Sequence, residues 1–206
     1  PVMAAAASPA AANGNTLVMA EEPFAALLEY DIGGGAPRLS SFTYYTARDA
    51  KVYYIFAVYL ADTTEPANFD PATENLAGYS AFLDFTLGAK VRSLYDIPAE
   101  LAESDSYMTV AALDSKRPGR QVLVCGRLVR SDEKEVIPAA APSGSVLMPA
   151  THYSETGGVM PDMNELWEYQ MRRFLLQGTG NAALQLAAGL PAQDKVPMIP
   201  SPRPAS

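Results

Sequence analysis

The chain has 206 residues, of which 49% are hydrophobic and 18% charged, and its formal net charge is −8. This composition is typical of a globular domain with a sizeable core and excludes a disordered chain. The acidic balance argues against broad binding to nucleic acid or to anionic lipid, since both need clustered Lys and Arg. A single cysteine, Cys125, excludes an intrachain disulfide and favours a reducing compartment.

Composition divides the chain into three zones. Residues 1–15 form an arm of Ala, Pro, Gly and Asn, residues 16–188 hold nearly all the aromatic and branched apolar side chains, and residues 189–206 form a proline-rich arm. We therefore predict one folded body, 16–188, with an extended arm at each end. The longest apolar run, 52–61, is too short for a membrane helix.

In chain order, short strands dominate the predicted body. A strand at 16–19 is followed by a hairpin of 41–46 with 51–60, whose second strand is apolar on both faces and is predicted to be central and covered on both sides. Strands at 79–87 and 91–95 come next, then a hairpin of 107–113 with 121–130 around Pro118-Gly119, and a strand at 145–148. On the central strand, simple alternation sets Val52, Tyr54, Phe56 and Val58 opposite Tyr53, Ile55, Ala57 and Tyr59.

One helix is predicted near the end of the body, over 162–177. Apolar residues recur there at helical spacing, acidic residues lie near its start, and Arg172 and Arg173 lie toward its end, before Gly178. A short helix at 181–188 follows it. The predicted fold is mainly β, a β-sandwich that could be jelly-roll-like, with a C-terminal α-helix and extended N- and C-terminal arms.

No familiar catalytic or cofactor motif is present, and we predict no catalytic, cofactor-binding or metal residues and no cofactor. Cys125 and His152 could form a nucleophile pair, but Cys125 alternates with apolar neighbours as a buried thiol would, and His152 lies in a polar stretch, 150–158, that we interpret as a loop. The glycine-rich run 32–38 lacks the spacing of a phosphate-binding loop. The carboxylates of the loop 61–80 do not fit an EF-hand, and a solvated loop is the favoured interpretation; they are Asp62, Glu65, Asp70 and Glu74.

Interface residues are the remaining candidates. Six basic residues cluster in the second hairpin and its exit, where they either keep the hairpin soluble or dock an acidic neighbour such as another copy of this chain. Aromatic side chains of the helix could anchor a contact, and the arms, which lack apolar surface to pack on the body, could be held by neighbouring subunits. The interface candidates are Trp167, Phe174, Arg117, Arg120, Arg127, Arg130, Pro200 and Pro202.

A β-rich body with extended Ala/Pro arms and no catalytic motif resembles the coat, surface and decoration proteins of icosahedral viruses. The resemblance implies an acidic structural protein of the virion, a capsid shell or decoration component that forms oligomers through protein–protein contacts of its arms. Its partners would be copies of itself or other shell proteins, without direct nucleic acid or membrane contact, because the arms carry only Lys195 and Arg203 as basic residues. Assembly would take place in a reducing compartment such as the host cytoplasm.

Two other functions remain open at this stage. The first is an accessory subunit of a large cellular complex, and the second is a soluble β-sandwich enzyme or ligand-binding protein. The sequence favours the structural protein and therefore a chain that is not an enzyme.

Overall fold

The structure is a computed structural model that describes residues 16–20, 41–45, 48–64, 78–113, 119–133 and 140–178. Its strands are β1 Thr16–Ala20, β2 Ser41–Tyr45, β3 Ala50–Asp62, β4 Tyr95–Asp96, β5 Tyr107–Leu113, β6 Arg120–Leu128 and β7 Ala141–Pro142. Its helices are α1 Tyr79–Arg92, α2 Ala150–Thr156 and α3 Met163–Gly178.

A five-stranded sheet with the order β1-β5-β6-β3-β2 forms the centre of the fold. The strands β2, β3, β6 and β5 pair antiparallel, and β1 adds to the edge parallel to β5. Both predicted hairpins are confirmed, as is the first strand. The prediction of a central strand is also confirmed, because β3 is buried from Tyr53 to Asp62.

The alternation predicted along β3 is wrong beyond its midpoint. Ile55 pairs with Gly126 and Ala57 pairs with Cys125, so Phe56 is an extra residue in a β-bulge. A bulge shifts the phase of the side chains by one residue. Val58 therefore shares a face with Ile55 instead of with Phe56.

Helices cover one face of the sheet and short segments cover the other. Phe82, Phe85 and Ala89 of α1 pack on the face that carries Phe56 and Cys125, and Phe174 of α3 packs at its border. Tyr95 and Ile97 pack on the opposite face, with support from Ala140 and Met148. Burial of both faces explains why the central strands are apolar throughout.

The strand predicted at 79–87 is wrong, since α1 occupies this segment. Seven residues of α1 are buried, and five of them are consecutive, from Phe85 to Ala89. A helix whose second half is buried on every side lacks the single apolar stripe from which a helix is recognised, and a short apolar run is then ambiguous between helix and strand.

Other local predictions were also wrong. At 91–95 the chain finishes α1 and contributes only Tyr95 to β4, and at 145–148 it forms no strand. The loop predicted at 150–158 is also wrong, because most of this polar stretch forms α2. The helix predicted at 162–177 is confirmed as α3, whereas the segment 181–188 lies outside the described residues.

A mainly β fold is confirmed in the coarse sense of a curled, mostly antiparallel sheet with a few helices. The sandwich or jelly roll is not observed in the described ranges, because the second sheet there has only the two short strands β4 and β7. The division into a body and two arms stays a prediction, since 1–15 and 179–206 lie outside the part of the chain that the structure describes.

Candidate ligand-binding site

The site is built where α1 ends and the chain reverses into β4. Ser93 fixes the reversal: its Oγ accepts a hydrogen bond from the Val58 N–H at 3.1 Å and donates one to the Tyr95 carbonyl at 2.7 Å. This reversal brings the Ile97 carbonyl beside the last turn of α1. The Nζ of Lys90 donates a hydrogen bond to that carbonyl at 2.6 Å.

Helix α3 closes the other side of the site. Nη1 of Arg173 lies 2.5 Å from Oδ2 of Asp96, which ties α3 to β4. The same Nη1 donates to the hydroxyl of Tyr169 one turn earlier at 2.9 Å. Phe174 packs edge-on against Phe82 of α1 with a centroid distance of 5.8 Å, so the helix is held by both an ion pair and an apolar contact.

Between these elements lies a small recess with one acidic, two basic and one amide side chain above an apolar floor. The space that its walls enclose has room for about one water-sized group, so a larger ligand would reach in only with its head group. The lining residues are Leu87, Lys90, Asp96, Gln170, Arg173 and Phe174.

Burial lowers the pKa of Lys90 to about 8, an effect that the carboxylate of Asp96 opposes and the guanidinium of Arg173 reinforces. Desolvation destabilises a charged ammonium, and a second cation nearby adds repulsion. At pH 7 Lys90 is still mostly protonated, with roughly a tenth in the neutral form. The recess therefore carries two positive charges and one negative charge at neutral pH.

The sequence did not predict this site. Lys90 falls between two predicted strands, and Asp96 and Arg173 lie far apart in the sequence. One signal was available: Lys90 is the only charge between Phe85 and Val91, inside an apolar run, and a lone lysine there must satisfy its ammonium locally.

Cys125 and His152 do not form a catalytic pair in this structure. Cys125 is fully buried on β6, and burial raises the pKa of its thiol to about 12, although hydrogen bonds with Thr109 and Tyr59 act in the opposite direction. The ring of His152 on α2 contacts the ring of Tyr153, and in the described ranges it makes no hydrogen bond to the thiol. A thiol with so high a pKa lacks the thiolate that attacks a substrate.

Two of the predicted interface arginines are held within the chain. The Arg127 side chain is only 4% exposed, and both of its terminal nitrogens bind the carboxylate of Glu133, at 2.9 and 2.7 Å. Arg130 binds Asp105 in the same bidentate way, with two contacts of 2.8 Å. These pairs anchor the chain after β6 and the turn before β5, which leaves little of their charge for a neighbour.

The other interface candidates are spread over the molecule. Trp167 is partly buried against Val91, Leu147 and Leu166, and Phe174 lines the recess. Arg120, the first residue of β6, lies opposite Asp62, the last residue of β3. Arg117, Pro200 and Pro202 lie outside the described residues. An interface role for any of the candidates stays a prediction.

Asp62 has a local role in the described part of the acidic loop. Its Oδ1 accepts hydrogen bonds from the N–H and hydroxyl of Thr64, and its Oδ2 accepts one from the hydroxyl of Thr151. The bonds from Thr64 hold the pKa of Asp62 below its usual value.

Within the described ranges, no three side chains that could bind a metal ion lie close together. The other residues of the acidic loop and the glycine-rich run lie outside these ranges: Glu65, Asp70, Glu74 and 32–38. None of the described helices could cross a membrane.

The comparisons with known proteins give matches to solved structures alone. No protein-family model and no curated protein matches the sequence. A mutant sortase B of Clostridium perfringens matches with a TM-score of 0.47 and 14% identity, over 57% of each chain. Sortase B of Listeria monocytogenes matches with a TM-score of 0.45 and 21% identity, over 59% of this chain and 67% of that chain. Sortase B of Staphylococcus aureus matches with a TM-score of 0.46 and 13% identity, over 58% of each chain.

These matches correct the functional predictions made from the sequence. The structures found are sortase enzymes and not virion proteins, so the predictions of a capsid or decoration component and of a chain that is not an enzyme are wrong on this comparison. The matched region covers little more than half of this chain, and the TM-scores lie below 0.5. Such a likeness transfers no sortase chemistry to Cys125 or to any other residue.

Proposed function

We propose that this protein binds a small monocarboxylate in the recess between α1, β4 and α3. The observation that supports the proposal is the buried cationic end of Lys90 beside Arg173, in a space that fits a single oxygen-sized group.

The recess has donors left to bind an anion. The ammonium of Lys90 has three donors, of which one contacts the Ile97 carbonyl. Arg173 uses Nη1 for Asp96 and Tyr169, and its guanidinium carries three further N–H donors on Nε and Nη2. A carboxylate oxygen placed between the two cations would accept charge-assisted hydrogen bonds, which are stronger than neutral ones.

Charge favours a monoanion over a neutral ligand or a dianion. The recess carries a net charge of about +1 when Lys90 is protonated, and Asp96 repels additional negative charge. A bound carboxylate would also separate Lys90 from the repulsion of Arg173. The apolar floor at Leu87 and Phe174 lies beneath the head group, and the short alkyl part of such a ligand would stay at the mouth of the recess.

Acetate is the probe that tests the proposal, with acetamide as the uncharged control of the same shape. In a titration followed by NMR of the backbone amides, acetate should shift the signals of 87–97 and 170–174, and acetamide should not. Lys90→Gln should weaken acetate binding at least about tenfold, the equivalent of about 1.4 kcal/mol. Arg172→Gln removes an exposed cation that pairs with Glu168 on the same helix, and it should leave binding unchanged.

The pH dependence supplies a second test. Binding needs the ammonium form of Lys90, so affinity should fall as the pH rises through about 8. Equal shifts with acetate and acetamide, or acetate binding that Lys90→Gln leaves intact, would contradict the proposal.

A further inference from the structure

The amine of Lys90 has a second chemistry that does not depend on a bound carboxylate. We propose that Lys90 is a reversible carbamate site, at which carbon dioxide adds to Nζ. The recess on which this rests is the one described above, but the inference holds or fails independently of acetate binding.

Size and hydrogen bonding favour this reagent. The recess encloses about one water-sized group, so it excludes a bulky electrophile, and the narrow, linear carbon dioxide molecule would enter it end-on with part of the molecule outside. A carbamate nitrogen keeps one N–H, which can continue to donate to the Ile97 carbonyl. The enclosed space would hold about one oxygen of the new carboxylate, and the lining groups that can donate to it are the amide of Gln170 and the guanidinium of Arg173.

The reaction balances without a further reagent. The ammonium of Lys90 releases a proton to solvent, and the lone pair of Nζ forms a bond to the carbon of carbon dioxide. One pair of electrons of a C=O bond moves onto its oxygen, and Nζ loses a second proton. The product is Nζ(H)–COO⁻, and two protons are released for each ammonium converted.

The groups that face Lys90 act in opposite directions on the product. Arg173, from α3, stabilises a carbamate anion, and Asp96, from β4, opposes it. Because Arg173 contacts Asp96 through Nη1, its remaining donors can bind the carbamate while the ion pair persists. The neutral amine is also accessible near physiological pH, since burial lowers the pKa of Lys90 to about 8; an unprotonated nitrogen is required for the attack.

Carbon-13 NMR of the full chain in ¹³C-bicarbonate buffer tests the inference, because a carbamate carbon resonates apart from bicarbonate and dissolved carbon dioxide. We expect one carbamate resonance in the unsubstituted protein near pH 8. The Lys90→Arg variant keeps the positive charge but cannot form a carbamate, so it should lose the signal completely. Lys51→Arg removes an exposed lysine of β3 and should retain it.

A second measurement needs no variant. Alkylation of the carbamate with a trialkyloxonium salt makes it stable, and mass spectrometry of the digested protein should then place the added group on the peptide that contains Lys90. Absence of a carbamate resonance, its undiminished persistence in Lys90→Arg, or trapping at other amines without the peptide that contains Lys90 would overturn the inference.

The two proposals can fail separately. Acetate binding without a carbamate resonance would overturn the carbamate site alone, and a carbamate without acetate binding would overturn the proposed function alone. Where both hold, carbon dioxide should weaken acetate binding, because carbamate formation replaces the ammonium of Lys90 with a negative charge.

Discussion

Cys125 is fully buried and Lys90 is largely buried, and burial changes their chemistry in opposite directions. Desolvation disfavours the charged form of each group, so the pKa of the Cys125 thiol rises to about 12 and the pKa of the Lys90 ammonium falls to about 8. The result is an inert thiol and an amine that is partly neutral at physiological pH. The sequence drew attention to the cysteine, whereas the structure places the more reactive group at the lysine.

The burial of Cys125 predicts slow alkylation in the folded protein. At pH 8 iodoacetamide should label the native thiol at least about a hundredfold more slowly than the same thiol in guanidinium, because the thiolate fraction is small and the strand is covered on both faces. The labelling rate of the intact protein, followed by mass spectrometry, measures this. Equal rates in the native and the unfolded chain would contradict the burial of Cys125.

At the scale of elements, Gly126 allows β2, β3 and β6 to pack closely. The rings of Phe42 and Tyr53 stack with a centroid distance of 5.3 Å. A Cβ on Gly126 would lie 2.6 Å from the ring of Phe42 and 2.8 Å from the Cβ of Tyr53. Gly126 pairs with Ile55, the residue of β3 directly before the bulge. The close approach of the strands and the phase shift therefore occur at one place in the sheet.

Replacement of Gly126 should therefore destabilise the sheet. Gly126→Ala is expected to reduce the free energy of unfolding by about 1–3 kcal/mol, because the ring and the strand must move apart. Urea denaturation followed by circular dichroism measures the change. Gly144→Ala is the matched control, since nothing lies within 4 Å of a Cβ built there, and its effect should stay within about 0.5 kcal/mol. Equal costs for the two variants would count against the packing of Phe42 over Gly126.

At the scale of the whole molecule, carboxylates tie the periphery to the sheet. Glu133 holds the buried Arg127, Asp105 holds Arg130, and Asp62 joins the end of β3 to α2 through Thr151. Burial alone would raise the pKa of Glu133, but hydrogen bonds from Arg127 and Arg130 and the charges of both guanidinium groups hold it below its usual value. The pKa of Asp62 is lowered as well.

Both shifts predict acid sensitivity. A carboxylate with a lowered pKa in the folded state stabilises the fold fully above its unfolded pKa, which is about 4, and this contribution is lost as the pH falls through the folded value. The free energy of unfolding should therefore decrease from about pH 5 downward. Glu133→Gln should cost about 1.5–3 kcal/mol at pH 7 and should make this decrease shallower.

Denaturant melts from pH 7 to pH 3 measure the effect. Glu168→Gln is the control, because Glu168 is 71% exposed and pairs with Arg172 across 3.6 Å on the surface of α3. Its cost should stay below about 0.5 kcal/mol at every pH. A Glu133→Gln variant that follows the unsubstituted protein over the whole range would show that Arg127 does not depend on this carboxylate.

Sequence by itself determined the elements whose patterns are local: the hairpin of β2 with β3, the hairpin of β5 with β6, the burial of β3 and the amphipathic helix α3. Such elements are specified by turn residues and by periodic apolar side chains, and these signals lie within a few residues of one another in the sequence. Only the tertiary structure decided that 79–92 is a helix, because its second half is buried on every side and shows no apolar stripe. It alone also placed Lys90, Asp96 and Arg173 in one recess, since their proximity depends on the docking of α3 against α1 and β4, which no local pattern encodes.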